Sequence, residues 1–220
     1  MLHMKMKTIA TVIAATVGLG GAGLAHAAIV SYTSSATFQA ALTGQTVTTE
    51  GYELPAINST IANGGSLNGL TYSFSNGAPG RIDNIFNNFD DQSLASASFA
   101  NGFFLPGESI TVSFGAAATA FGVFFNVAQS PAGSLYATTN LGDTALGSNS
   151  YDISTLHFVG LISDTAFTSV TFGGTTAIAS GFNVDDLSNV RAVQAVPEPG
   201  SLALLALALA AVVSMRRRKA

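Results

Sequence analysis

The sequence predicts an all-β protein, an antiparallel two-sheet β-sandwich of jelly-roll type with one short helix near its start. Apolar and polar residues alternate along several short runs, as they do in strands with one buried face. Pairs such as Asn-Gly, Pro-Gly and Gly-Gly, which favour tight turns, separate those runs at fairly regular intervals. The chain is also rich in glycine and poor in lysine and glutamate, which favours strands joined by turns over long surface helices.

A single helical signal lies near the start of this region. Ser35 is a candidate N-cap, and Ala36 to Leu42 follow it as a run that favours a helix. Phe38 and Leu42 stand four residues apart, so both lie on one apolar face of the predicted helix.

The strand signals follow in chain order. Three runs place an apolar residue at every second position, namely Leu70, Tyr72 and Phe74, then Ile110, Val112 and Phe114, and then Phe121, Val123, Phe125 and Val127. Further strands are predicted at residues 156–162, 166–172 and 178–190. Predicted breaks between strands lie at residues 63–65, 76–77, 101–102, 106–107 and 173–174.

The first 27 residues predict a secretory signal peptide. Lys5 and Lys7 precede an apolar run, and Ala25 and Ala27 form the small-x-small pattern of a cleavage site. Cleavage is therefore expected after Ala27. The alternative is an uncleaved N-terminal anchor.

The end of the chain has three parts. Pro197, Glu198 and Pro199 form a stiff, extended segment, because proline fixes φ and lacks a backbone N–H. The apolar residues 202–215 predict a transmembrane helix, which is short for a hydrocarbon core of about 30 Å. Four cations follow the predicted helix, and cations beside such a helix stay on the cytoplasmic side of the membrane. These orienting cations are Arg216, Arg217, Arg218 and Lys219.

This tail resembles the PEP-CTERM protein-sorting signal, with the motif at 196–201, the helix at 202–215 and the basic end at 216–220. The resemblance implies processing by an exosortase in a Gram-negative bacterium. It also implies a precursor that is anchored transiently in the inner membrane, cut near Pro197 to Pro199, and delivered to the cell surface or an exopolysaccharide matrix. The alternative is an ordinary C-terminal anchor whose prolines only end the preceding strand.

Residues 28–195 remain when the signal peptide and the sorting signal at 196–220 are set aside. This length is suited to one domain. Eleven acids against two bases make this domain strongly acidic. Such a surface repels the phosphates of nucleic acids and suits divalent cations or neutral partners, so we exclude nucleic-acid binding. The absence of cysteine excludes disulfides, thiolate metal sites and thiol catalysis.

Several stretches of this domain resemble the uncharacterised sandwich domains that precede PEP-CTERM tails, namely residues 36–42, 119–123, 158–164, 167–170 and 182–187. The last stretch also resembles the final strand of lectin-like and carbohydrate-binding jelly rolls. The resemblance implies the sandwich fold rather than an activity.

Four carboxylates are candidate ligands of one structural calcium ion. Asp185 and Asp186 lie at the close of the domain, and Glu50 and Glu53 lie near its start. The first and last strands of a sandwich commonly lie side by side, so these hard oxygen ligands can converge. The resemblance to carbohydrate-binding jelly rolls implies a calcium ion at a comparable place. The alternative is that Asp185 and Asp186 lie on opposite faces of a strand, one solvated and one hydrogen-bonded to a turn.

Residues 83–91 form a second oxygen-rich stretch. They lack the EF-hand pattern, because Ile85 stands where an Asp or Asn ligand belongs. We predict an exposed polar loop here. The alternative is a sugar- or ion-binding loop in which Phe86 or Phe89 stacks on a sugar ring.

The sequence does not predict an enzyme. His157 is the sole histidine after removal of the signal peptide, and it lies in an apolar run that predicts a strand. Neither a G-x-S-x-G elbow nor an H-E-x-x-H motif is present. Glycoside hydrolysis needs two carboxylates beside one bond, and the available glutamates are Glu50, Glu53 and Glu108.

We therefore predict a non-enzymatic, exosortase-processed protein of the cell surface or extracellular matrix that binds exopolysaccharide. A secreted glycan hydrolase or lyase on the same scaffold is the alternative. A third hypothesis gives the domain no ligand and makes it a structural element of the biofilm.

Overall fold

The computed structural model of the protein describes residues 28–53, 55–84, 92–98, 102–127, 130–148 and 156–192. The predicted signal peptide with Ala25 and Ala27, the sorting signal at 196–220 and most of the polar stretch 83–91 lie outside these residues. Within the described ranges, no helix has the length and apolar character needed to cross a membrane.

The described residues form one helix and twelve strands. The helix, α1, spans Ser35–Ala41. The strands are β1 Ile29–Tyr32, β2 Val47–Glu50, β3 Thr60–Ile61, β4 Ser66–Leu67, β5 Leu70–Phe74, β6 Gly80–Asp83, β7 Ser93–Ser96, β8 Ser109–Val127, β9 Leu135–Thr139, β10 Thr144–Leu146, β11 His157–Gly174 and β12 Phe182–Arg191.

Every strand pair among these residues is antiparallel, which confirms the predicted all-β, antiparallel class. The central order is β10-β9-β11-β8-β12-β7-β6-β3, and β1 pairs with β11, β2 with β12, β4 with β5, and β5 with β8. Hydrogen bonds join all twelve strands into one sheet, so the two-sheet jelly-roll arrangement stays a prediction.

Strands β8 and β11 are long, with 19 and 18 residues. The predicted runs at 156–162 and 166–172 are therefore one strand rather than two. The reason is a pair of register shifts between Ile162 and Ser169, which interrupt the alternation as a turn would. The run predicted at 178–190 also begins later, because β12 starts at Phe182.

Aromatic rings fill the main core. Tyr72, Phe121 and Phe125 are fully buried, as the alternating pattern predicts. Phe74, Phe104, Phe182 and Phe125 form a chain of ring contacts with centroids 5.8, 5.4 and 5.7 Å apart. Burying a phenylalanine side chain contributes about 1.5–3 kcal/mol, so these rings are a main source of stability.

Helix α1 covers the opposite side of the central strands and forms a second, smaller core. Phe38 and Leu42 are buried as predicted, together with Ala120, Phe158 and Val190. The predicted cap is wrong by one residue, because Ser34 is the extended N-cap residue and Ser35 is already helical. The side chain of Ser34 makes no capping hydrogen bond.

Two glycines make room for this second core. Gly122 of β8 and Gly160 of β11 are paired across the sheet. A Cβ atom at either position would lie 2.6 Å from the Phe158 ring, and Phe38 is also within about 3 Å. The helix can therefore approach the sheet closely only because both positions lack a side chain.

We expect Gly122→Ala to lower the free energy of unfolding by about 1–3 kcal/mol, because the added methyl group overpacks the Phe158 ring. Urea unfolding would measure the loss. Gly115→Ala is the matched control in the same strand, since its nearest neighbour is 3.5 Å away. Equal effects of the two substitutions would contradict the packing argument.

Candidate functional site

The start and the end of the described domain lie side by side. Strand β2 pairs with β12, which sets Glu50 opposite Leu187. Strand β12 has an irregularity here, because its pairing with β8 jumps from Asp185 to Ser188. Asp186 lies at this bulge with φ +47, a conformation that turns its side chain out of the regular alternation.

The backbone also turns sharply after β2. Gly51 and Tyr52 follow Glu50, and Tyr52 has φ +61. The position of a Cβ atom on Gly51 would be 3.3 Å from Asp186 Oδ1 and 3.9 Å from Glu53 Oε1. The structure therefore brings the exposed side chains of Asp186 and Glu53 to the same turn.

Glu50 and Asp185 lie deeper than these two residues, with 6% and 5% of their surface exposed. Asp185 Oδ1 accepts a hydrogen bond of 2.7 Å from the Asp186 backbone N–H. Among the described residues, no three His, Cys, Asp or Glu side chains form a group that could hold a metal ion. The calcium site therefore stays a prediction.

Glu50 is held by two hydrogen bonds. Its Oε1 accepts from the Tyr52 backbone N–H at 2.9 Å, and its Oε2 accepts from Asn68 Nδ2 at 2.5 Å. Asn68 and Gly69 form the tight turn between β4 and β5, with φ values of +48 and +80. An Asn-Gly pair between Leu67 and Leu70 is a typical hairpin signal, and it lies outside the five breaks predicted from the sequence.

Two tyrosines lie buried behind Glu50. The rings of Tyr52 and Tyr72 are 6.3 Å apart, and neither hydroxyl has a hydrogen-bond partner of normal geometry among the described residues. Burial raises the pKa of both phenols, and the neighbouring Tyr72 raises the pKa of Tyr52 further. Both phenols therefore stay neutral at physiological pH.

An open cleft of about 330 Å³ lies over this region. Seven of its nine described lining residues have polar side chains, which carry hydroxyl, carboxylate, amide and guanidinium groups. The lining residues are Thr48, Thr49, Glu50, Gly51, Glu53, Asn68, Leu70, Asn189 and Arg191. Such a set of donors and acceptors suits a ligand with many hydroxyl groups.

Arg191 ends β12 and is exposed at the cleft. It is one of two cations in the described residues, and the other, Arg81, forms an ion pair with Asp83. The side chain of Arg191 makes no hydrogen bond or ion pair with any described residue. The sequence showed that bases are rare in this domain but gave no reason to place Arg191 in a site.

The remaining candidates for catalysis lie on other elements. His157 begins β11, where it is buried and paired with Phe125. Glu108 lies in the turn before β8, and its two carboxylate oxygens accept hydrogen bonds from Asn76 Nδ2 at 3.0 Å and from the Leu105 backbone N–H at 2.8 Å.

Comparison with known proteins identifies the tail of the chain. Residues 195–219 match the family model described as the PEP-CTERM protein-sorting motif. No curated protein and no solved structure matches the chain.

The motif places the chain in the class of exported proteins that are processed by an exosortase. Its precursor is membrane-anchored and is processed to the cell surface, with the exosortase as its processing partner. The match covers the tail alone and does not extend into the described residues.

We expect Asn68→Gly to lower the free energy of unfolding by about 1–3 kcal/mol, because it removes the amide donor of the buried Glu50 carboxylate. Glycine tolerates the positive φ of this turn, so backbone strain does not contribute. Asn58→Gly is the matched control, since Asn58 has φ +69 and is exposed. Chemical denaturation would compare the two variants, and similar losses would refute the role of the Glu50 contact.

Proposed function

We propose that this chain is a non-enzymatic protein of the cell surface or extracellular matrix whose domain binds exopolysaccharide. The domain, residues 28–195, is in this proposal a two-sheet jelly-roll sandwich that follows a cleaved signal peptide at 1–27. The observation that carries the proposal is the open cleft between β2, β12 and the β4–β5 turn, which is lined mainly by residues with polar side chains. An exported protein of this class is delivered to the place where such a ligand is found.

The composition of the cleft supports a carbohydrate rather than an apolar ligand. Thr48, Thr49 and Asn189 have hydroxyl and amide groups, and Leu70 is the single large apolar residue among the described residues of the lining. Hydroxyl-rich ligands are recognised by such donors and acceptors. The acidic surface of the domain repels nucleic acid, which is not among the proposed partners.

A structural calcium ion is part of this proposal. Glu53 and Asp186 support it, because both are exposed carboxylates beside Gly51. Glu50 and Asp185 lie behind them as the remaining two carboxylates of the predicted set. Calcium accepts carboxylate, carbonyl and water oxygens in flexible geometry, so it would join the turn after β2 to the bulge of β12.

A secreted glycan hydrolase or lyase is the second candidate. One observation favours it, since Glu50 and Glu53 both line the cleft and glycoside hydrolysis uses a pair of carboxylates. The hydrogen bonds that hold both oxygens of Glu50 favour a structural role for this residue instead. Release of new reducing or unsaturated ends from the producer's polysaccharide would support the enzyme and refute the proposed binding protein.

The full-length chain, purified in detergent, is expected to co-sediment with the exopolysaccharide of its producer. Thr48→Tyr should abolish this binding, because a bulky ring at an exposed position of the lining fills the cleft. Thr60→Tyr, at an exposed strand position outside the lining, is the matched control. Binding that is equal in calcium and in EDTA would refute the calcium part. No binding in either condition would refute the proposed function and favour a structural element of the biofilm.

Replacement of Pro197, Glu198 and Pro199 by alanine should leave the precursor in the inner membrane, because the exosortase then lacks its motif. Fractionation of the producing cells would locate the protein. Val193→Ala with Gln194→Ala is the control, since both positions precede the matched residues 195–219. Unchanged surface delivery of the triple variant would contradict the sorting role.

A further inference from the structure

We propose that the cleft takes an acidic polysaccharide and that Arg191 binds a carboxylate group of its sugar units. This inference rests on the proposed polysaccharide function and names the class of ligand. It begins from the charge of the domain, in which eleven acids stand against two bases. A cation that stays exposed and unpaired among so many carboxylates is available for a ligand.

The two described cations differ in this respect. Arg81 is committed to the buried carboxylate of Asp83. The side chain of Arg191 makes no hydrogen bond or ion pair with the described residues, although Glu50 and Glu53 line the same cleft. Both oxygens of Glu50 are occupied by Tyr52 and Asn68. This buried carboxylate is thus satisfied internally, and the five N–H donors of Arg191 are left for a partner.

The position of Arg191 suits an extended ligand. It borders the cleft described above and two neighbouring clefts of about 370 and 380 Å³. Its guanidinium also reaches the β4–β5 turn, where a Cβ atom on Gly69 would be 3.9 Å from Nη2. Arg191 therefore borders three concave surfaces, so a sugar chain that crosses them passes over this residue.

The chemistry favours a carboxylate. A guanidinium presents two parallel N–H groups that match the two oxygens of a carboxylate, and such charge-assisted pairs are about twice as strong as neutral hydrogen bonds. The exposed Glu53 in the same cleft and the acidic groups elsewhere on the domain oppose an anionic ligand. The Debye length is about 8 Å at physiological salt, so the repulsion from the more distant groups is screened, and the direct contact with Arg191 has to outweigh that from Glu53.

The test compares two probes with the same sugar backbone, polygalacturonate and its fully methyl-esterified, neutral form. The full-length chain should bind the acidic probe at least about tenfold more tightly than the neutral probe. Arg191→Gln should remove this preference, and Arg191→Lys should retain part of it because it keeps the charge but loses the planar fork. Ala179→Asp is the matched control, since it makes the same charge change at an exposed position before the start of β12, whereas Arg191 lies at the end of that strand.

The outcomes separate this inference from the proposed function. Equal binding of the two probes by the unaltered chain would overturn the acidic class but leave polysaccharide binding intact. An acidic preference that persists in Arg191→Gln would overturn the role of this residue. Absence of binding to both probes and to the producer's polysaccharide would overturn the inference and the proposed function together.

A separate observation at the start of the domain carries a second inference, which rests on the predicted cleavage after Ala27. The backbone nitrogen of Ala28 lies 3.1 Å from Asp164 Oδ1, and the Asp164 backbone N–H donates to the Ala28 carbonyl at 3.2 Å. Hydrolysis of the Ala27–Ala28 peptide bond adds water and leaves a carboxylate on Ala27 and an ammonium group on Ala28. We infer that removal of the signal peptide creates an ion pair between this ammonium group and Asp164.

This ion pair would stabilise the pairing of β1 with β11. Strand β1 has four residues and, among the described strands, pairs with β11 alone, next to the register shift after Ile162. Before cleavage, the Ala28 nitrogen offers one neutral N–H group. After cleavage it offers a positive charge and up to three donors, which strengthens the contact with the carboxylate.

A cycle of cleavage and substitution tests this second inference. In the processed protein, whose first residue should be Ala28 by N-terminal sequencing, Asp164→Asn should lower the melting temperature by about 1–3 °C. The same substitution should lower the melting temperature less in the uncleaved precursor. Hydrogen exchange of the β1 amides should be faster in the substituted than in the unaltered processed protein, and the substitution should leave it unchanged in the precursor. Equal shifts in the two forms, or a different first residue, would overturn the inference.

Discussion

The pairing of β8 with β11 is the constraint on which the rest of the fold depends. Their ladder runs from Ser109 opposite Gly173 to Phe125 opposite His157. Strands β5 and β12 add to β8, and β1 and β9 add to β11. At about 3.3 Å per residue, each long strand would extend roughly 60 Å if it were straight. The register shifts after Ile162 interrupt the regular ladder, and strands that bend at such points can pack their own halves around a core.

The cleft follows from the same arrangement. Strand β12 pairs with β8 as far as Ala118, and β5 pairs with an earlier part of β8. Arg191 and the β4–β5 turn therefore lie near the point on β8 where the pairing partner changes from β5 to β12. Strand β2 then covers the end of β12 and supplies Thr48, Thr49 and Glu50. No single segment of the sequence contains the site, because it is assembled from strand ends that are distant along the chain.

This assembly explains what the sequence could predict. The burial of residues such as Leu70, Tyr72 and Phe74 could be predicted, because the alternation of apolar and polar residues is visible within a few positions of the sequence. Strand β11 was predicted as two strands, because the register shifts after Ile162 interrupt this alternation. Arg191 was missed because its place depends on which strands end beside it. The sorting motif is the opposite case, since a linear signal can be recognised without the fold.

The short connection after β12 has a consequence for when the cleft can be used. The predicted membrane helix begins at Leu202, and the chain between Arg191 and that residue spans at most about 40 Å even when fully extended. The uncut precursor therefore keeps its cleft close to the bilayer, where headgroups and neighbouring proteins compete for space with a long polymer. Under the proposed function, removal of the anchor ends that confinement, so processing both relocates the protein and gives a long polymer access to the cleft.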